Sequence, residues 1–186
     1  MKRVLAVLVV VTLAAGCRSS GPATAPTALP PLSAVPSASA TPSASAVPVV
    51  TKPPAADKAT AAGAEAFARY WMAVANQAFA TLDSSALATI SGPACATCES
   101  YIQSIKRSNR DGERYDGGEI SVKYAAATPL SGTTATVLLV YAVTELRVYD
   151  DRGALIDTVP AKQRVALNFT LQRTSTAWIA KQLLLA

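Results

Sequence analysis

Residues 63–82, GAEAFARYWMAVANQAFATL, decide the fold, because they are the first long stretch in which apolar residues recur at helical spacing. One side of the predicted helix is apolar and consists of Phe67, Tyr70, Trp71, Val74, Ala78 and Leu82. Glu65, Arg69 and Gln77 lie on the other side. The pattern therefore predicts an amphipathic helix that buries one face against another element of the domain.

Two shorter helices are predicted to follow. Residues 83–85, Asp-Ser-Ser, end the first helix and can cap a second one that reaches about residue 90. Residues 91–93, Ser-Gly-Pro, break the chain again. A third helix is predicted over residues 95–108, and residues 109–118, rich in Asp and Gly, are predicted to form a loop.

From residue 120 onwards the apolar period changes to two, which is typical of strands. Strands are predicted over residues 120–124, 134–149, 154–159, 165–171 and 178–185. Turn residues such as Asp150-Asp151-Arg152-Gly153 separate them. Helices followed by an antiparallel meander predict an α+β domain over residues 63–186, with the N-terminal helices packed on a curved antiparallel sheet.

The N-terminus has the organisation of an export signal. Lys2 and Arg3 precede an apolar run over residues 4–13, which is too short for the roughly 20 residues that a membrane span needs. The following Leu13-Ala14-Ala15-Gly16-Cys17 resembles a bacterial lipobox. The resemblance implies that residues 1–16 are a lipoprotein signal peptide and that Cys17 carries the lipid. An ordinary cleaved signal with an unrelated cysteine is the alternative.

Residues 17–62 differ in composition from the rest of the chain. Nine of the twelve prolines lie between residues 18 and 62, and no aromatic residue occurs before Phe67. Such a segment cannot bury enough apolar surface to offset its ordering entropy. It is predicted to be a disordered tether, with a docking peptide as the alternative.

The charge of the chain argues against a nucleic-acid partner. The formal net charge is +5, but residues 64–186 hold twelve Lys and Arg against eleven Asp and Glu. The excess therefore belongs to the signal peptide and the tether, whereas nucleic-acid binding needs a basic patch on the domain. Nothing in the sequence calls for a cofactor.

Cys95 and Cys98 form the one chemical motif of the domain. If Cys17 is lipidated, two cysteines remain and can form one disulfide. One helical turn brings their Cα atoms within the roughly 4.4–6.8 Å that a disulfide requires. The alternative is a thiol oxidoreductase, but that motif normally follows a strand, and here it follows two helices. With no histidine, the two cysteines do not complete a tetrahedral zinc site.

The absence of histidine also removes the commonest general base. An enzyme would have to rely on carboxylates and tyrosines. Glu145, inside the predicted long strand, is the best candidate for a buried acid, and the alternative is a solvent-facing strand residue paired with a cross-strand Lys or Arg. The candidate pocket residues are Tyr70, Trp71, Tyr141, Glu145 and Trp178. The aromatic residues among them could equally be core.

The order of elements resembles the NTF2-like, cystatin-related α+β cone. Residues 66–71 (AFARYW) and 76–81 (NQAFAT), with Leu87, Cys95-Ala96-Thr97-Cys98 and Tyr101-Ile102, resemble a family of actinobacterial lipoproteins of unknown function. Its members tend to carry Gly-Asp where this chain has Leu82-Asp83. The resemblance implies a fold and a location, but no activity.

These observations predict an extracytoplasmic protein that the lipid on Cys17 anchors to the outer face of the cell membrane. Its domain is expected to be a non-catalytic module that binds a small ligand or an unknown envelope protein. The alternatives are an acid–base enzyme that uses the interior of the cone and a thiol–disulfide function of Cys95 and Cys98. An open cavity that holds an ionisable group would favour an enzyme, and a filled core with an exposed apolar patch would favour a protein partner.

Overall fold

Three helices precede seven strands in the computed structural model, which describes residues 49–186. The helices are α1 (Ala61–Thr81), α2 (Ser85–Thr89) and α3 (Ala96–Arg110), after a 3-10 turn at Pro54–Asp57. Thr60 caps α1 by accepting a hydrogen bond from Gly63 N at 3.1 Å. Asp83, rather than Ser84, caps the start of α2, because its Oδ1 accepts from Ser85 N at 2.9 Å.

The strands form two antiparallel sheets within the described residues. The strands are β1 (Arg114–Gly117), β2 (Ile120–Ala127), β3 (Thr134–Val143), β4 (Leu146–Tyr149), β5 (Leu155–Val159), β6 (Lys162–Arg173) and β7 (Trp178–Leu185). The larger sheet has the order β2-β3-β6-β7, and the smaller one has the order β1-β4-β5. Register shifts at three places in the larger sheet bend it towards the helices.

The core lies between the helices and one face of the larger sheet. Phe67 and Trp71 on α1 are buried, and the Trp71 ring meets the edge of Phe169 on β6 with centroids 5.3 Å apart. Val137 and Leu139 on β3 are also fully buried. The burial of each such side chain stabilises the folded state by about 1.5–3 kcal/mol. The predicted α+β class, with N-terminal helices packed on a curved antiparallel sheet, is confirmed.

The predicted long strand over residues 134–149 is wrong, because the chain leaves the larger sheet at Thr144 and Glu145. Thr144 N donates to Glu119 O, and Gly118 N donates to Glu145 O at 2.9 Å. Gly117 permits this close approach, because a Cβ there would lie 2.1 Å from Glu145 O. The chain then enters the smaller sheet as β4.

One further prediction is corrected by the structure. The predicted loop over residues 109–118 is wrong in part, because residues 114–117 pair with β4 as β1. The predicted end of α1 holds, but Leu82 adopts a left-handed φ of 55°. Glycine favours this conformation, which costs a leucine about 1–2 kcal/mol. The position is the one at which the resembling family tends to carry glycine.

The folded domain begins before the predicted boundary at residue 63. Ala56 is buried, Arg173 Nη2 donates to Asp57 O at 3.0 Å, and Trp178 Nε1 donates to Lys58 O at 2.9 Å. Residues 50–60 therefore form a strap that packs on α1 and the sheet, so the tether prediction is wrong for these residues. The predicted signal peptide, Cys17 and residues 17–48 of the predicted tether lie outside the described residues.

Among residues 49–186, no helix is long and apolar enough to cross a membrane.

Candidate functional site

A cleft of about 340 Å³ opens where the two sheets meet the C-terminal end of α1 and the side of α3. We call it the tyrosine cleft, because three of its four aromatic walls are tyrosines: Phe79, Tyr101, Tyr115 and Tyr141. Aliphatic side chains from both sheets complete the lining, mainly Ile120, Val143, Leu146 and Val165. A concave, mostly apolar site of this size lies at the lower end of the range for small-molecule pockets.

The aromatic walls are held in place by one another and by α3. Phe79 meets the edge of Tyr101 at 5.8 Å between centroids and stacks on Tyr115 at 6.3 Å. The Tyr115 hydroxyl lies 2.5 Å from the hydroxyl of Ser108, a buried residue on α3. The hydrogen-bonding capacity of Tyr115 is thus used within the protein, and its ring serves as a wall.

Tyr101 and Tyr141 supply the polar groups inside the cleft. Burial first, and the neighbouring Tyr101 second, raise the pKa of Tyr141 to about 12. Burial also raises the pKa of Tyr101. Neither hydroxyl bonds to any described residue apart from the other member of the pair. Each hydroxyl carries one proton, and no described residue outside the pair accepts it, so at least one donor remains for a ligand.

The only charged side chain on the lining of the cleft, within the part of the chain that the structure describes, belongs to Lys162. No carboxylate lines it. Lys162 is exposed, begins β6 and lies opposite Val143 of β3. The cleft therefore offers hydrogen-bond donors and one cation, but no group that would accept a proton from a substrate.

A second cavity of about 450 Å³ lies on the other side of the tyrosine pair. It shares Tyr101, Tyr141 and Leu185 with the tyrosine cleft, and Thr97 and Leu183 line its far part. The two spaces are therefore neighbours, separated by the two phenol rings and the end of β7.

Of the predicted pocket residues, Tyr141 lines the cleft. Trp71 and Trp178 are core residues with 0% and 1% exposure, and their indole N–H groups bond to Ser91 Oγ and Lys58 O. Tyr70 is half-buried against Phe67 and lines none of the cavities described above. The structure therefore places both tryptophans in the core and Tyr70 outside the cavities described above.

Glu145 is not a buried acid. It lies in the break between β3 and β4, its side chain is 46% exposed, and it forms an ion pair with Arg147 at 2.9 Å. The pair also raises the pKa of Arg147 through the hydrogen bond to Glu145. Glu145 thus faces solvent and has a basic partner, but it lies between two strands, and Arg147 is two residues further along the chain rather than across the sheet.

The sequence does not indicate Phe79, Tyr101, Tyr115 and Lys162 as site residues. From the sequence, Tyr101 is only part of the apolar face of α3, and Tyr115 falls in the predicted loop. Residues 114–117, Arg-Tyr-Asp-Gly, show no alternation of apolar and polar residues that would have indicated β1.

Cys95 and Cys98 form a disulfide at the start of α3, with Cα atoms 5.2 Å apart, as predicted. Both residues are buried, with exposures of 1% and 0%. Thr97 Oγ1 donates to Leu183 O at 3.0 Å and ties the same turn to β7. Thiol–disulfide exchange requires access to a sulfur atom, which this packing denies.

No group of three or more Cys, Asp and Glu side chains converges as a metal site among residues 49–186.

The outer face of the larger sheet carries exposed apolar side chains. Tyr124, Leu138 and Leu184 are 51%, 38% and 53% exposed.

The profile of a protein family, described as "Family of unknown function (DUF6318)", matches residues 35–183. The chain belongs to this family. Membership of the DUF6318 family agrees with the predicted resemblance to a family without an assigned activity. No curated protein shows significant similarity to the chain.

Several solved structures are similar to this DUF6318 chain in fold. The intermembrane space region of the chloroplast protein ARC6 is 14% identical, with a TM-score of 0.47 over 67% of this chain and 95% of that one. Aln2 from a Streptomyces species is 12% identical, with a TM-score of 0.43 over 63% and 85%. A protein of unknown function with a cystatin-like fold from Nostoc punctiforme is 10% identical, with a TM-score of 0.38 over 63% and 86%. Similarities this low carry no functional argument.

Proposed function

We propose that this DUF6318 chain is a lipid-anchored, extracytoplasmic protein whose domain binds a small, mainly apolar ligand in the tyrosine cleft without transforming it. The anchoring part of the proposal is supported by the signal-like residues 1–16 and the lipobox-like sequence before Cys17. The binding part is supported by one observation above all. An apolar cleft contains two tyrosine hydroxyls that have no partner among the described residues except each other.

Both residues line the cleft, so a ligand can reach the hydroxyls, and a hydrogen-bond acceptor on that ligand can take the available proton. The apolar walls provide most of the affinity through the surface that they remove from water. The hydroxyls then orient the ligand, because its hydrogen-bond acceptor must face them.

Binding is favoured over acid–base catalysis because of the protonation state of the cleft. With a pKa of about 12, Tyr141 keeps its proton at physiological pH and acts as a donor. A general base must lie within hydrogen-bond reach of the proton it removes. Glu145, the carboxylate considered for that role, pairs with Arg147 outside the cleft. The thiol–disulfide alternative is disfavoured by the burial of Cys95 and Cys98.

The proposal is tested by filling the cleft. N-phenyl-1-naphthylamine, a neutral apolar dye that fluoresces when it leaves water, is titrated into the wild type and into Val143→Trp. Val143 lines the cleft, so the larger ring should remove most of the dye binding.

Leu138→Trp is the matched control, because Leu138 lies on the same strand but on the exposed face. It should bind the dye as the wild type does. Equal dye binding by the wild type and Val143→Trp would contradict the proposal. Loss of dye binding in Leu138→Trp but not in Val143→Trp would contradict it as well.

A further inference from the structure

We infer that the ligand of the tyrosine cleft is an amphipathic carboxylate, with its charged end at Lys162 and its aliphatic chain between the aromatic walls. This inference rests on the proposed binding function and specifies the chemical class of the ligand. Three features of the cleft lead to it: an available cation, neutral donors beside it, and apolar space of limited volume.

The cation of Lys162 is available to a ligand. Its side chain forms no ion pair with any residue between 49 and 186. Val143 lies opposite Lys162 in the sheet, and Glu145, two residues after Val143, is already paired with Arg147. Since no carboxylate of the described residues lines the cleft, Lys162 is the charged group that an anionic ligand would meet there.

The tyrosine pair lies close to Lys162 along the sheet. Lys162 is opposite Val143, and Tyr141 is opposite Val165, with one register shift between the two pairs, so both residues lie on the same two strands and both line the cleft. An ionised carboxylate only accepts hydrogen bonds and has about four sites for them. It can therefore accept from the lysine and from the free tyrosine proton together, and such charge-assisted bonds are the stronger kind.

The remaining space suits an aliphatic chain. A cleft of about 340 Å³ holds roughly eleven water-sized groups at about 30 Å³ each. The neighbouring cavity beyond the tyrosine pair extends this apolar space. An aliphatic chain of about ten carbon atoms matches the volume of the cleft itself.

The test compares two ligands of equal chain length, decanoate and decan-1-ol, by displacement of N-phenyl-1-naphthylamine from the purified protein. Decanoate should bind about three- to fivefold more tightly than the alcohol, which is the factor expected for a partly exposed ion pair. In Lys162→Met the affinity for decanoate should fall to that for decan-1-ol, while the affinity for decan-1-ol should not change. Lys162→Arg should keep the preference for the acid.

Lys181→Met is the control, because Lys181 is an exposed strand lysine that does not line the cleft. It should behave as the wild type. Equal affinities for the acid and the alcohol in the wild type would overturn the inference and leave the binding function standing. Failure of the dye, the acid and the alcohol to bind at all would overturn the proposed function itself.

Discussion

Asn76 should be one of the most important polar side chains for the stability of the domain. It lies on α1 and faces β2, an edge strand of the larger sheet. Its Nδ2 donates to Ile120 O at 2.7 Å, and its Oδ1 accepts from Ile120 N at 2.8 Å. The amide thus replaces the strand that β2 lacks on this side. Ile120 also lines the tyrosine cleft, so this contact positions a wall of the site.

Asn76→Ala removes both bonds and leaves two part-buried backbone groups without partners. At about 1 kcal/mol for each bond, we expect the free energy of unfolding to fall by about 2 kcal/mol. With a urea m-value of about 2 kcal/mol/M, the unfolding midpoint should move down by about 1 M. Asn76→Asp should cost about as much, because it keeps the acceptor for Ile120 N but places a second oxygen against Ile120 O.

Urea unfolding followed by circular dichroism measures these changes. Ser100→Ala is the control, because it removes an exposed hydrogen bond to Ala96 O within α3 and should change stability by less than about 0.5 kcal/mol. A loss below about 0.5 kcal/mol for Asn76→Ala, or an Asp variant as stable as the wild type, would refute the reasoning.

Three further predictions concern other parts of the chain. The pKa of Tyr141 is raised in the folded state, so the protonated phenol should contribute fully to stability below about pH 10, and that contribution should be lost as the pH rises towards 12. Tyr141→Phe should therefore reduce the fall of the urea midpoint over this pH range, and a fall as large as in the wild type would contradict the prediction. Replacing both Cys95 and Cys98 with Ser should cost about 2 kcal/mol at most, and alkylation of the unreduced wild type should label neither; rapid labelling would disprove the structural role. Cys17→Ser should release the protein from the membrane fraction or leave the precursor unprocessed, and fractionation identical to the wild type would rule out the lipid anchor.

The fold is predictable where one period of apolar residues covers a whole element. Phe67, Trp71 and Val74 recur at helical spacing and all face the core, so the predicted α1 begins within two residues of its true start. The break at Thr144 is not predictable, because apolar residues continue on both sides of it. What ends β3 is a set of hydrogen bonds to residues 118–119, which are distant in sequence.

The site is less predictable than the fold, because its residues come together through contacts between parts of the chain that are distant in sequence. The sequence places Tyr141 beside Glu145 on one apolar strand, but the two side chains separate, because the chain turns between them. Tyr101, Tyr115 and Lys162 reach the cleft from α3, β1 and β6. No local pattern marks such a convergence, which arises only when both sheets pack against α1 and α3.

The most direct test of the ligand site is an NMR measurement of contacts between bound decanoate and tyrosine rings. Nuclear Overhauser effects from the alkyl protons should appear on the rings of Tyr101, Tyr115 and Tyr141, which line the tyrosine cleft. Tyr124, exposed on the outer face of the larger sheet, should show none. Contacts confined to Tyr124, or no contacts with any ring at saturating decanoate, would contradict the assignment of the cleft as the binding site.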